Sequence, residues 1–272
     1  MPVRPRRAWA VLLGVLVAVV SALVAAAPAQ AIYKGHDADF GEYRFMVSMR
    51  LANTPDSPRC GGTLIEPDIF MTAAHCVVGV PQGGIVATVG ANIPDWPTAP
   101  KIGTLGHAIG RHYDPNGDNR DDIALVRLAT PQSSPTVRLA RTEPRVGEHV
   151  TIAGFGCTNI PVPPTCVTRP TVLQETGQKV LSDKTGCGPE IFQNPPAFAR
   201  TTICTAGIRD NSTVVPGDSG GPLLVRDDCG GFRQAGVLSL GSDSADPLVA
   251  GYTSLPVEAR WIHDTIERLR AG

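Results

Sequence analysis

Three short stretches carry side chains that could do chemistry together. In Pro216-Gly217-Asp218-Ser219-Gly220-Gly221-Pro222 a serine sits among glycines, directly before the apolar run Leu223-Leu224-Val225. Glycine tolerates positive φ and close approach, so two amide N–H groups there can point at one spot. A serine hydroxyl is a poor nucleophile until a base takes its proton. Thr72-Ala73-Ala74-His75-Cys76 offers a base, and Asp121-Asp122-Ile123-Ala124-Leu125-Val126-Arg127-Leu128 puts carboxylates at the mouth of an apolar strand. Alone, each has a plainer reading: a structural histidine, a solvated strand end, and a Gly-x-Ser-x-Gly pattern that also occurs by chance.

The elements that must position them are mostly short strands. Phe45–Leu51 partly alternates apolar and polar residues, and Cys60–Ile65 with Ile69–Thr72 reads as a hairpin turned at Glu66-Pro67-Asp68. Ile85–Val89, Ile123–Leu128 and Val150–Ala153 continue the series, broken by Pro94–Pro100 and Pro161–Pro164. Such spacing indicates an all-β barrel or sandwich, and the length suggests two units with a seam near Ala129–Pro144. The C-terminus reads as a helix with Val257, Trp261, Ile262, Thr265, Ile266 and Leu269 in one stripe, packing on the second unit. Arg268 and Arg270 fall where cations favour a helix end.

Arg4, Arg6 and Arg7 precede an apolar run from Ala8 to Ala27, and Ala29-Gln30-Ala31 follows. This is the pattern of a secretory signal peptide over residues 1–31, cleaved before Ile32-Tyr33-Lys34-Gly35. Its removal subtracts three arginines and no acids, taking the formal net charge from −1 to −4. There is no basic tract of the kind nucleic-acid binding requires. No second apolar segment of that length follows, so the exported chain is expected to have no membrane partner. Seven cysteines in an exported chain suggest disulfides with one thiol left over. No Cys-x-x-Cys or clustered Cys/His spacing supports a metal site, and no cofactor is implied.

In the order His75, Asp122, Ser219 the chain resembles the chymotrypsin/trypsin-type serine proteases, whereas α/β-hydrolases place the serine first. Cys60–Ile65, Thr72–Cys76, Asp122–Leu125 and Gly217–Pro222 resemble that family's motifs at matching intervals, and the likeness covers nearly all of residues 32–272. The resemblance implies an all-β fold of two antiparallel six-stranded β-barrels. The first barrel would span about residues 32–138, the second about 139–255, and a C-terminal α-helix about 256–271. It implies a secreted serine endopeptidase, monomeric, acting on protein or peptide substrates and open to protein protease inhibitors. Ser219 would attack the scissile carbonyl, His75 would act as base and then acid, and Asp122 would hold the imidazole. Gly217 and Ser219 N–H groups would form the oxyanion hole. Asp121 is the competing carboxylate, but Asp122 directly precedes the Ile-Ala-Leu run.

By the same resemblance Ser239 supports the aspartate, and Ser239, Leu240 and Gly241 line the substrate strand. The free amine of Ile32 would pair with Asp218, and signal cleavage would itself release that amine. The likeness implies disulfides Cys60–Cys76 and Cys187–Cys204. Cys157–Cys166 would close a local loop, with a bridge from Cys229 to Cys157 or Cys166 as an alternative. Departures concern substrate choice. Thr213 falls at the base of the primary pocket, where trypsin has an aspartate, and Ala250 takes another pocket position. A buried guanidinium there would lack a carboxylate, so an apolar or small uncharged side chain is expected, unless Asp210 or Asp243 reaches in. Val215 and Ser244 replace a pocket-wall disulfide, Leu240 replaces a tryptophan, and Pro216 precedes the oxyanion glycine. The rival readings are a non-catalytic binding homologue and an α/β-hydrolase esterase.

Overall fold

A computed structural model describes residues 32–117, 119–157, 169–182, 200–208, 211–242 and 248–272. The expected signal peptide, Cys166, Cys187, Asp210, Asp243 and Ser244 lie outside the described residues. A short strand, β1 (His36–Asp37), precedes β2 (Met46–Leu51), β3 (Pro58–Glu66) and β4 (Ile69–Thr72). A single helical turn, α1 (Ala74–Val77), leads to β5 (Ile85–Val89), β6 (Ile102–Ile109) and β7 (Ala124–Leu128). These close a barrel in the order β2-β3-β4-β7-β6-β5, every pair antiparallel, with β5 returning to β2. Alternating apolar residues such as Met71, Leu125 and Ile85 fill it, all fully buried.

The second half runs through β8 (Arg138–Leu139), β9 (His149–Gly154), β10 (Gln174–Val180), β11 (Thr202–Gly207), β12 (Pro222–Arg226), β13 (Phe232–Gly241) and β14 (Val249–Ser254). Because β9 pairs with both β12 and β10, six antiparallel strands again close on themselves. This two-barrel architecture removes the α/β-hydrolase reading. The linker between barrels is tied to both: Val137 N–H donates to Leu64 O at 2.9 Å, and Ala140 N–H to Gln234 O at 2.8 Å.

Three details differ from expectation. The N-terminal segment belongs with the second barrel, since β1 pairs with β10 and Tyr33 bridges Thr213. Strand β8 runs parallel to β13, an exception to the antiparallel pattern. The terminal helix α2 (Leu255–Ala271) packs on β6 and β7 as well as β13, and Arg127 of the first barrel donates to Leu269 O at 2.7 Å. Val257 is consequently exposed, and the buried stripe is Leu255, Glu258, Trp261, Ile262 and Thr265. Apolar character alone could not set that rotation, because two barrels compete for the helix face.

Candidate active site

Strands β4 and β7 are antiparallel neighbours with Thr72 opposite Ala124. The chain therefore leaves β4 and enters β7 at one end of the barrel, which brings His75 of α1 to Asp122. Asp122 Oδ1 accepts from His75 N–H at 2.9 Å, and Oδ2 lies 2.7 Å from His75 Nδ1. The aspartate is wholly buried at the barrel seam. There Ser239 Oγ of β13 donates to Oδ2 at 2.7 Å, and Thr253 Oγ1 of β14 donates to the Asp122 carbonyl at 3.0 Å. A carboxylate in this position holds the proton on Nδ1 and leaves Nε2 free to act as a base. The Cys60–Cys76 disulfide fastens α1 to β3, and Arg59 Nε donates to Cys76 O at 3.0 Å.

Ser219 is placed by main-chain bonds to both barrels. Gly61 N–H of β3 donates to Ser219 O at 2.8 Å, while Gly220 N–H donates to Leu238 O of β13 at 2.9 Å. Gly220, at φ +79°, has no space for a side chain: a Cβ would collide with Thr72 Oγ1 and sit 3.0 Å from Ala73 N. The serine loop thus abuts the segment that leads into His75. Among the described residues the Ser219 hydroxyl makes no hydrogen bond to the imidazole, a contact that commonly tightens only when substrate binds. The N–H groups of Gly217 and Ser219 likewise meet no protein acceptor among the described residues, as donors awaiting an oxyanion require.

Asp218 points inward. Its carboxylate accepts from Gly156 N–H at 2.8 Å and Val215 N–H at 2.9 Å. Burial pushes its carboxyl up to about 7, against the pull of those two N–H groups and of the Arg169 charge. Ile32 is fully buried in the same barrel's apolar cluster with Val150, Ile152 and Val214. No hydrogen bond joins Ile32 to Asp218 among the described residues; in the uncut chain its nitrogen is a peptide amide.

Of the residues expected to set specificity, Gly241 and Ala250 lie beside Val214, a residue the sequence reading missed. Thr213 is buried, its N–H donates to Tyr33 O at 3.1 Å, and its hydroxyl has no partner among the described residues. Gly241 faces fully buried Ala250 across the β13–β14 pair, and a Cβ on Gly241 would lie 2.8 Å from Val214 Cγ2. Leu240 is half-buried, and buried Val215 holds Asp218 rather than a disulfide. Pro216 keeps its carbonyl engaged by Cys157 N–H at 2.9 Å.

Cys157 and Cys204 are each disulfide-bonded, and the partners expected for them, Cys166 and Cys187, lie outside the described residues. Cys229 is free and exposed, which overturns the bridge from Cys229. The described His/Cys/Asp/Glu group closest to metal spacing is Cys60, His75 and Cys76, whose sulfurs are already bonded to each other.

Asp121 has a different job from its neighbour. At φ +51° it turns away, and its Oδ2 lies 2.7 Å from His112 Nδ1. Burial and then the Asp121 charge raise the carboxyl of Glu258 on α2 to about 7. A carboxyl held protonated in the fold contributes stability at low pH that is lost as pH rises through the folded value. Glu258→Gln is therefore expected to stabilise the protein by about 1–2 kcal/mol at pH 8 and not at pH 4. Urea midpoints of both proteins at the two pH values check this; equal midpoints at pH 8 would show that the fold does not raise the Glu258 carboxyl.

Comparison with known proteins agrees with this architecture. The model of the trypsin family matches residues 32–262. A trypsin-like protease of Streptomyces glaucescens is 31% identical, over 83% of this chain and 79% of its own. Mouse cathepsin G is also 31% identical, over 87% and 86%. Neuropsin, a serine protease expressed in the limbic system of mouse brain, superposes with a TM-score of 0.71 at 22% identity, covering 86% of this chain and 100% of its own. Two closed barrels with a histidine–aspartate pair at their seam define a chymotrypsin-fold protein. The chain belongs to the trypsin family, whose members are serine proteases.

Proposed function

We propose that the chain is a secreted serine endopeptidase that cleaves protein or peptide substrates through Ser219, His75 and Asp122. The observation that carries this reading is the buried Asp122 carboxylate, which accepts from His75 N–H, holds Nδ1 and is braced by Ser239. Ser219 attacks the carbonyl, His75 takes its proton and delivers it to the leaving amine, and Gly217 and Ser219 N–H stabilise the oxyanion. The open N–H pair and the two-barrel anchoring of the serine loop support that assignment. A serine-directed phosphonate should label Ser219 in stoichiometric amount and stop peptide hydrolysis. A folded protein that takes up no label would overturn the reading in favour of a non-catalytic homologue.

Primary specificity is for small or apolar side chains. Support comes from Thr213, uncharged and buried, and from Val214, whose methyl group crowds the space beside Gly241. Cleavage of a peptide library should give Ala, Val or Leu before the scissile bond; dominance of Arg or Lys would sink this assignment. Activation follows export. Ile32 already lies in the second-barrel core, and Asp218 is a buried carboxylate for which a free ammonium is the natural counter-ion. Sequencing of secreted protein should begin at Ile32, and an upstream start would rule out activation by signal cleavage.

A further inference from the structure

Arg169 has no place in the chemistry above, yet it lies against the oxyanion loop. Its Nη1 donates to Phe155 O at 2.8 Å, in the segment that leaves β9 of the second barrel. Its Nη2 donates to Pro58 O at 3.1 Å, the first residue of β3 in the first barrel. One guanidinium thus bridges both barrels beside the loop that Gly61 of β3 also holds. The planar fork suits two carbonyls at fixed separation, which an ammonium could not span in the same way.

The loop is packed directly beneath that fork. Gly217, at a φ of +98° that favours glycine, is closely packed: a Cβ would lie 3.0 Å from Arg169 Nη1 and 3.1 Å from Gly156 Cα. Gly156 in turn donates to Asp218 Oδ1 at 2.8 Å. Guanidinium, Gly217, Gly156 and the Asp218 carboxylate therefore form one stack. The positive charge of Arg169 favours the ionised form of that carboxylate, which anchors the loop through Val215 N–H at 2.9 Å. Burial lowers the Arg169 pKa and the Asp218 charge opposes the shift, so each charge supports the other.

We propose that Arg169 is a positioning residue of the oxyanion hole: bridging Phe155 O and Pro58 O, it clamps Gly217 from above and keeps its N–H directed at the reacting carbonyl. The inference rests on the assignment of Gly217 as an oxyanion donor. It predicts a kcat effect, because a displaced donor weakens the transition state more than the bound substrate. Removing one such donor outright costs about 10²–10³-fold in kcat. Loosening it should cost less.

The test compares wild type, Arg169→Met and Arg169→Lys on the peptide chosen by library cleavage, with active sites counted by phosphonate labelling. Arg169→Met, which keeps the apolar stem, is expected to lose about 10–100-fold in kcat per labelled site with KM within about threefold. Its affinity for a peptide boronic acid, whose tetrahedral adduct occupies the oxyanion hole, should fall in parallel. Arg169→Lys should recover part of both losses. Wild-type kcat and boronate affinity in a fully labelled Arg169→Met would overturn the proposal, as would a loss confined to KM. If the methionine variant does not fold, the lysine variant decides. A kcat loss above about threefold at constant KM supports the clamp, and wild-type kcat overturns it. Failure of the Ser219 reading would appear differently, as a wild-type protein that neither labels nor turns over.

Discussion

Ser219→Ala is expected to lower kcat by about 10⁶-fold while leaving KM and the melting temperature nearly unchanged. The activity loss would follow from removing the atom proposed to form the acyl-enzyme bond, with only oxyanion stabilisation and substrate alignment remaining. Retention of the fold follows from the way the loop is held. Its anchors are the main-chain bonds of Ser219 O, Gly220 N–H and Gly221 O, and the inward carboxylate of Asp218, none of which needs the Ser219 hydroxyl. The measurement is kcat per folded molecule alongside a thermal melt. A variant keeping more than about a hundredth of wild-type kcat would remove Ser219 as nucleophile.

Asp122→Asn should lower kcat about 10⁴-fold near neutral pH, again with a native-like fold. The carboxylate now accepts on one side from His75 N–H and on the other meets His75 Nδ1 and the Ser239 hydroxyl. An amide of the same shape has only one acceptor oxygen. If that oxygen stays on His75 N–H, the NH₂ group faces Nδ1 and makes it an acceptor. The imidazole proton then sits on Nε2, and the ring presents a donor to Ser219 where a base is needed. If the amide flips, two donors oppose each other at His75 N–H, a buried mismatch costing about 1–3 kcal/mol. The first arrangement is favoured, so the variant is folded and inactive. Kinetics with labelled-site counting and nitrogen NMR of the imidazole check it; activity within tenfold of wild type would remove Asp122 from the mechanism.

Much of this site was legible in the sequence because it depends on local chemistry. The glycines around Ser219 announce a tight loop, and the apolar run after Asp122 announces a strand that begins at a cleft. The β3–β4 hairpin was equally readable from Cys60–Ile65 and Ile69–Thr72, where alternation and turn residues agree. Asp121 and Asp122 show where such reading weakens. The following Ile-Ala-Leu run favoured Asp122, but only the backbone shows Asp121 in a left-handed conformation, turned toward His112.

Arg169, Val214 and Glu258 were not legible, for a common reason. Each acquires its role from groups far away in the chain: Pro58 beside Arg169, Gly241 beside Val214, and Asp121 beside Glu258. No periodicity encodes such contacts. The helix shows the same limit, since its apolar residues gave its existence and only the competition between two barrels fixed the face it buries.

The sequence by itself determined the residue types that the proposed reaction uses, their order, and the two-barrel class that follows from strand spacing and the resemblance. Those are properties of short segments, carried by local propensity and by side-chain chemistry. The tertiary structure alone decided how the parts meet. It paired Thr72 with Ala124 so that His75 reaches Asp122, drew Ser239 from the other barrel to brace that carboxylate, and laid the Arg169 guanidinium over Gly217. Closing a barrel brings distant strands into register, and that closure is set by the whole ladder of pairings rather than by any one stretch.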